Sequence, residues 1–520
     1  MPAWAEDDMA KAYYITTPIY YVNDSPHIGH AYTTLACDVL ARFKRLDGYD
    51  VHFLTGTDEH GQKVEKAAAD AGVSPKDFTD RVSETFRSLP AALNFSNDDF
   101  IRTTEDRHIR ASQAIWKALL EAGDIYLGSY AGWYAVRDEA FYTEGELEKR
   151  EDGTRVAPSG AEVEWVEEPS YFFKLSEWQD RLLEFYEANP DFIGPATRRN
   201  EVISFVKGGL KDLSVSRTTF KWGVPVPDDD DHIMYVWLDA LTNYATAVGY
   251  PDCDSDMFQK FWPADLHMVG KDIVRFHAVY WPAFLMAAGV QPPKRVYAHG
   301  WWTNEGEKIS KSLGNVIDPL QLVETYGLDP VRYFLLREVP FGNDGDFSHA
   351  AMTHRMNGDL ANDLGNLCQR VLSMVNKNCD AKVPEHGTFD AADTALMDKA
   401  NSLLESLRAS MDEQAFHTAL GTIWAVIGDA NRYVDAQAPW ALRKTDPARM
   451  ATVLYTLAET IRRVALFVQP FMPDACAKIL DQLSVPEDAR GFDSLDSVLK
   501  PGQGLPKPTP VFPRFVADED

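Results

Sequence analysis

The strongest constraint on the fold is a strand, a loop and a helix laid end to end near the front of the chain. A β-rich run from Tyr13 to Thr17 leads to the tetrapeptide His27-Ile28-Gly29-His30, after which Leu35, Val39, Phe43 and Leu46 recur at helical spacing until Gly48. A second strand, Val51 to Thr55, follows directly. This is a βαβ unit, whose helix N-terminus carries N–H groups and a partial positive charge suited to phosphate. Imidazoles placed there can donate to phosphate oxygens. The pattern resumes with Leu266-His267-Met268-Val269 ending at Gly270, a helix through His277 and Trp281, and Arg295-Val296-Tyr297-Ala298. That last strand leads to a second motif, Lys308-Ile309-Ser310-Lys311-Ser312. A doubly wound parallel sheet delivers both motifs to one nucleotide.

At 520 residues the chain is too long for one core, so two or three domains are expected. A net charge of −28 argues against a nucleic-acid partner taken over the whole surface, yet leaves room for a local basic patch. Met1 to Ala10 is acidic and lacks a charged-then-apolar signal pattern, so a cytoplasmic location is expected. Phe276 to Val290, the most apolar stretch, contains His277 and Pro282 and falls short of the about 20 residues a bilayer span needs, so no membrane partner is expected. Cys37, Cys253, Cys368, Cys379 and Cys476 form no CxxC pair and have no histidine at metal-ligand spacing, which predicts reduced, packed thiols.

Between the two halves of the nucleotide fold, residues 126–215 carry short aromatic runs such as Gly132-Trp133-Tyr134 and Glu139-Ala140-Phe141-Tyr142 around a polar loop from Glu148 to Gly160. They read as an inserted small β-domain. Beyond Asp329 helical periodicity takes over: Leu396, Ala400, Leu403, Leu404 and Leu407 share one face, as do Val453, Leu454, Leu457, Ile461, Val464 and Val468. The expected organisation is an α/β Rossmann-type catalytic domain in two halves (1–125 and 216–328), an inserted connective β-domain (126–215), a linker (329–360) and a C-terminal α-helical bundle (361–520). The proline-rich tail after Leu499 reads as an irregular strap or a frayed end.

The two motifs resemble the HIGH and KMSKS signatures of class I aminoacyl-tRNA synthetases. Four further runs resemble methionyl-tRNA synthetases: Thr16-Thr17-Pro18-Ile19-Tyr20-Tyr21, Gly56-Thr57-Asp58-Glu59-His60-Gly61, Tyr235-Val236-Trp237-Leu238-Asp239-Ala240 and Gly270-Lys271-Asp272-Ile273. The resemblance covers most of the chain, Tyr13 to Leu480. Ile309 stands where the family usually has methionine, a volume-conserving change at a position that packs the loop.

The resemblance implies activation of L-methionine by ATP with Mg2+, followed by transfer to tRNA(Met), initiator and elongator. It assigns catalysis to His27, His30, Lys308 and Lys311, with Gly29 and Asp272 also at ATP. It matches Asp58 to the carboxylate holding the substrate amino group, Ile19, Tyr21, Trp237, Ala240, Tyr244, Ile273 and His277 to the side-chain pocket, and Arg217 to a lid group near the substrate carboxylate. Aromatic walls with one polar group suit an unbranched, polarizable thioether. For tRNA, Trp440 matches a base-stacking tryptophan, with Asn362 and Arg370 as candidates for base edges and phosphate.

Ala135 and Asp138 stand where many relatives have a CxxC pair, and Val156-Ala157-Pro158-Ser159-Gly160 also lacks cysteine. A metal-free knuckle packed around Trp133 and Tyr142, with no structural zinc, is therefore expected. A monomer is expected too. Two alternatives differ in class. A synthetase for cysteine calls for zinc-binding cysteines, and one for a branched aliphatic residue calls for a long editing insertion; a non-catalytic tRNA-binding scaffold is expected to have lost His30 or Lys311, and both are present.

Overall fold

The computed structural model describes residues 10–22, 26–138, 140–142, 144–150, 152–309 and 314–516. Its internal contacts divide the chain into two compact units, one of residues 12–26 and 51–299, the other of residues 1–11, 27–50 and 300–520.

The first of these is built on a parallel sheet. Its strands are β1 (Ala12–Thr16), β2 (Tyr20–Tyr21), β3 (Asp50–Asp58), β4 (Asp99–Arg102), β5 (Ile193–Gly194), β6 (Leu266–Gly270) and β7 (Val296–His299). The spatial order is β5-β7-β6-β1-β3-β2, with β4 also on β3. Ile15 lies opposite Leu266, His267 opposite Val296, and Leu54 opposite Asp99. Tyr14, Ile15, Phe53, Leu54, Met268, Val269, Val296 and Ala298 are all fully buried, as strands covered on both faces require. The chain leaves β1 toward β3 and β4 and returns on its other side as β6 and β7. In such sheets ligands enter the crevice at the carboxyl ends of the strands beside this reversal. Thr16, Asp58 and Gly270 mark that edge.

The segment read as an inserted small β-domain is β only in its first part. Ile125–Ala135 pairs antiparallel with Glu164–Phe173, and Trp133 faces Trp165. Helices Gln179–Ala188 and Ala196–Lys207 then follow, and Ile193–Gly194 between them pairs with β7 in the parallel sheet. Aromatic content suggested strands here, but Leu182 and Tyr186, like Val202 and Val206, stand four apart and pack into the core of this unit. The knuckle also differs from expectation. Its buried centre is Ala135, Ala157 and Ala161, and Asp138 accepts from the hydroxyls of Tyr142 and Ser159. Trp133 lies on its face, donating to Glu144 at 2.7 Å with the Arg155 guanidinium 4.6 Å above the ring.

The other unit is helical around Pro447–Val468. Val453, Leu454, Leu457, Ile461, Val464 and Val468 are fully buried in it, and it packs against helices Asn366–Asn378, Ala391–Asn401, Phe416–Gln437, Pro439–Thr445 and Pro473–Gln482. The other predicted apolar face is split by Ser402 into two helices, with Leu396, Ala400, Leu403 and Leu407 buried and Leu404 half-buried. The tail is a strap: Val383 and Gln503 bond backbone to backbone at 2.8 Å, and Asn357 bonds both backbone groups of Phe515 at 2.8 and 2.9 Å. Among the described residues no helix is long and apolar enough to cross a membrane.

The helix Ile28–Leu46, which opens on the first motif, belongs to this helical unit. Arg332, 2% exposed, donates to Asp38 at 2.6 Å and to the carbonyls of Phe471 and Pro470 at 2.8 and 3.0 Å. Nearer the surface, Lys44 pairs with Asp412 at 2.7 Å and Arg408 with Asp47 at 2.6 Å. Removing one partner of a buried pair strands the other, so Arg332→Ala is expected to cost roughly 3 kcal/mol or more in urea unfolding, and Asp38→Leu/Arg332→Met distinctly less. A single-variant loss under about 1 kcal/mol would show the pair to be incidental.

Candidate functional site

In the helical unit the first motif caps its own helix. His27 is the N-cap of Ile28–Leu46, its Nδ1 accepting the Gly29 N–H at 3.1 Å, while His30 Nδ1 accepts the His27 N–H at 3.0 Å. This is the reciprocal geometry of a capping box, with imidazoles in place of hydroxyl and carboxylate. Because each Nδ1 is an acceptor, the proton of each neutral ring sits on Nε2. Burial, with the neighbouring His27, pushes His30 well below the usual imidazole range, which keeps it a neutral donor. The sequence reading gave Gly29 to a close approach of ATP. Within the chain itself, a Cβ there would meet the His27 ring at 2.9 Å, so the cap already demands glycine.

The second motif begins on a hairpin in the same unit. Trp302–Asn304 pairs with Glu307–Lys308 through a turn whose Glu305 and Gly306 have positive φ, 50° and 80°. Lys308 is exposed on that strand. Asn315 closes the far side of the loop, donating to the Lys308 carbonyl at 3.1 Å and accepting from Asn304 at 2.9 Å. Ser310, Lys311 and Ser312 lie outside the described residues. The segments on either side of the second motif meet the start of the first motif's helix: the Ile28 N–H donates to Ile317 O at 3.1 Å, and Tyr32 meets Trp302 edge-on at 5.5 Å. A helix N-terminus, two Nε2–H donors and a lysine-bearing loop form an arrangement that suits a polyphosphate.

In the sheet unit the predicted pocket residues gather at the carboxyl edge. Asp58 ends β3, and β2 runs beside it so that Tyr21 lies opposite Asp58. Trp237, Ala240 and Tyr244 fall on one face of helix Val236–Thr246. Ile273 and His277 follow β6, with His277 in a π-helical stretch, Phe276–Tyr280, of the kind that often marks functional sites. His277 Nδ1 donates to Ile273 O at 2.9 Å, so Nε2 accepts the Tyr244 hydroxyl at 2.6 Å. Burial holds His277 down at about 4, leaving it neutral at physiological pH. Ile19 packs against the same core. The sequence reading missed Phe276, whose ring stacks on Trp237 at 3.6 Å and 7°. Only its place one residue before His277 could have pointed to it.

Asp272 follows β6, its carboxylate folded over Gly270, where a Cβ would lie 2.5 Å from Oδ1. Arg217 is 3% exposed in a small antiparallel sheet, donating to Ser214 Oγ and Ser216 O, with its guanidinium 4.4 Å from the Tyr235 ring. Tyr235 immediately precedes the pocket helix.

Far along the helical unit, two of the three predicted tRNA residues meet. The Arg370 guanidinium lies 5.5 Å over the Trp440 ring and bonds Asp435 at 2.7 Å. Trp440 is 46% exposed, which leaves its ring available for stacking, and Arg443 and Lys444 close the same short helix. Asn362 is exposed in a π-helical segment, Met356–Gly365.

Residues 13–372 match the family model "tRNA synthetases class I (M)", and residues 383–520 match "Anticodon binding domain of methionyl tRNA ligase". Methionine–tRNA ligase of Brucella suis is 62% identical over 98% of this chain and 99% of its own length, and that of Rickettsia felis is 58% identical over 98% and 100%. A Mycobacterium tuberculosis methionyl-tRNA synthetase solved in complex with methionyl-adenylate superposes with a TM-score of 0.95 at 57% identity, covering 97% of this chain and all of that one.

Unfolded histidines titrate near 6.5, whereas His277 is held at about 4 in the fold, so the unfolded chain takes up protons the native state refuses as pH falls through that window. Stability is therefore expected to drop more steeply between about pH 6.5 and 4.5 in the unaltered protein than in His277→Gln, followed by urea unfolding; equal slopes would show that His277 titrates normally.

Proposed function

Because the chain belongs to the class I methionyl-tRNA synthetases, we propose that its two motifs and its aromatic pocket divide the reaction of that family between them. The activity is that of a methionine–tRNA ligase, an enzyme joining methionine to tRNA with consumption of ATP. In the first step an oxygen of the methionine carboxylate attacks the α-phosphorus of Mg-ATP in line, and pyrophosphate leaves. In the second, a ribose hydroxyl of the terminal adenosine of tRNA attacks the acyl carbon, and AMP leaves.

Such a displacement needs positioning and charge stabilisation rather than a covalent nucleophile. His27 and His30 donate from Nε2 to phosphate oxygens at the helix N-terminus. Lys308 and Lys311 follow the charge as it moves onto pyrophosphate. Asp58 takes the methionine ammonium, and Asp272 lies at the nucleotide. Ile19, Tyr21, Trp237, Ala240, Tyr244, Ile273 and His277 enclose the thioether, with Arg217 answering the substrate carboxylate. Trp440 stacks an anticodon base, and Arg370 and Asn362 contact its surroundings. The observation that carries the phosphate assignment is the Ile28-to-Ile317 bond, which ties the start of the first motif to the end of the second loop. The knuckle holds no zinc, its clasp being the Asp138 hydrogen bonds around a core of alanines. The enzyme acts as a cytoplasmic monomer on initiator and elongator tRNA alike.

ATP–pyrophosphate exchange tested one amino acid at a time is expected with methionine alone; exchange with cysteine or isoleucine would overturn the pocket, and none at all would favour a binding scaffold. Lys311→Ala is expected to lower the activation rate about a hundredfold with methionine affinity little changed, because its contact strengthens in the transition state. Trp440→Ala is expected to cut tRNA charging roughly tenfold or more while exchange stays nearly intact, as loss of one stacked base implies. If exchange fell equally, Trp440 would be a structural residue.

A further inference from the structure

Two of the sequence runs contribute side chains that the reaction above leaves unused. Asp239 sits in the first turn of the pocket helix, between Trp237 and Ala240, and is fully buried. Its Oδ2 bonds His60 Nδ1 at 2.6 Å, and its Oδ1 bonds His108 Nε2 at 2.7 Å. His60 lies two residues past Asp58, at the end of β3. His108 comes from helix Asp106–Glu121, where Ser112 Oγ stands 3.2 Å from its Nε2 and Thr246 Oγ1, at the far end of the pocket helix, 3.4 Å from its Nδ1. One carboxylate thus joins the strand end that presents Asp58 to the helix face that presents Trp237, Ala240 and Tyr244.

The surroundings hold the His60 arm in place. Its ring meets Trp222 edge-on at 5.4 Å, the Trp222 indole N–H donates to Glu59 O at 2.6 Å, and the Gly61 N–H donates to Trp222 O at 3.0 Å. Glu59 in turn takes Arg102 at 2.6 and 2.9 Å, Thr57 at 2.8 Å and Thr104 at 2.6 Å. Burial works against the ionised form of Asp239, but His60 and His108 overrule it and hold the carboxyl at about 2. Apolar packing at this junction would let helix and strand slide by fractions of an ångström. A carboxylate gripped from two elements by directed N–H donors in a dry site does not.

We propose that Asp239, clamped by His60 and His108, is a positioning residue for methionine, setting the separation between the carboxylate that takes the substrate ammonium and the aromatic face that takes the thioether. The inference rests on the pocket assignment made above. It predicts an effect confined to the amino acid. Loosening the clamp misplaces the two ends of methionine relative to each other and leaves the nucleotide contacts of the helical unit untouched.

The test uses the full-length enzyme in ATP–pyrophosphate exchange. Asp239→Asn keeps shape and removes one acceptor; His60→Gln removes one arm only and serves if the first variant folds poorly. The expected result is a methionine KM raised about tenfold to a hundredfold, an ATP KM within about twofold of the parent, and a smaller preference for methionine over norleucine. Ala240→Leu, which fills the proposed pocket, is the control for the underlying reading and must abolish exchange. If Ala240→Leu abolishes exchange while a folded Asp239→Asn keeps its methionine KM, or raises both KM values in parallel, the positioning role is wrong and the pocket stands. If Ala240→Leu leaves exchange intact, the pocket assignment itself fails and takes the inference with it.

Discussion

A guanidinium and a carboxylate, Arg332 and Asp38, meet in the interior of the helical unit where neither is reached by water. Burying both ions is costly, and a pair of well-packed apolar side chains could hold two helices together as firmly. What the charged pair adds is direction. The Arg332 guanidinium is engaged by Asp38 and by two carbonyls at the end of the central helix, so the motif helix is pinned at one rotation and one height. His27 and His30 stand at the N-terminus of that helix and inherit its position. Burial bears hardest on Arg332, whose guanidinium is pushed below its ordinary range yet stays charged through the Asp38 contact.

Neighbouring groups choose the tautomer of three histidines proposed for the site. His27 and His30 accept main-chain N–H bonds at Nδ1 and so present Nε2–H. His277 donates from Nδ1 to a carbonyl and so accepts at Nε2 from Tyr244. The His277–Tyr244 side of the pocket is thereby polar without being charged, and the motif rings are donors without needing a net proton. A methionine thioether, a weak acceptor on an apolar chain, suits the first environment, and phosphate oxygens suit the second. Lys308, exposed on its hairpin strand, offers a cationic point charge.

The chain's own periodicity and punctuation made the main elements legible, while the pocket residues came from the family resemblance. The first motif, its helix and the strands β1, β3, β6 and β7 fall where alternating and 3.6-residue patterns place them, and the buried faces of the C-terminal helices were readable residue by residue. Reading failed where a short segment is defined only by its partner. Ile193–Gly194 becomes a strand because β7 lies beside it, which two residues cannot announce. Trp133 looked like a core residue on hydrophobicity alone, yet its indole N–H and the cation above it keep it at the surface. The stacking of Phe276 on Trp237 and the clamp on Asp239 join residues 39, 131 and 179 positions apart.

Sequence alone determined the kinds of chemistry available: imidazoles at a helix start, lysines on a glycine-flanked loop, aromatic side chains at helical spacing, and a basic, tryptophan-bearing turn late in the chain. These follow from residue type and local geometry, which extend over one or two turns of backbone. Tertiary structure decided that the Tyr244 hydroxyl meets His277, which carboxylate is gripped and by what, and that Arg370 and Trp440 share one surface. Those outcomes depend on hydrogen-bond distances between remote segments, and such distances exist only once the core has closed and expelled the water that would otherwise compete for the same donors and acceptors.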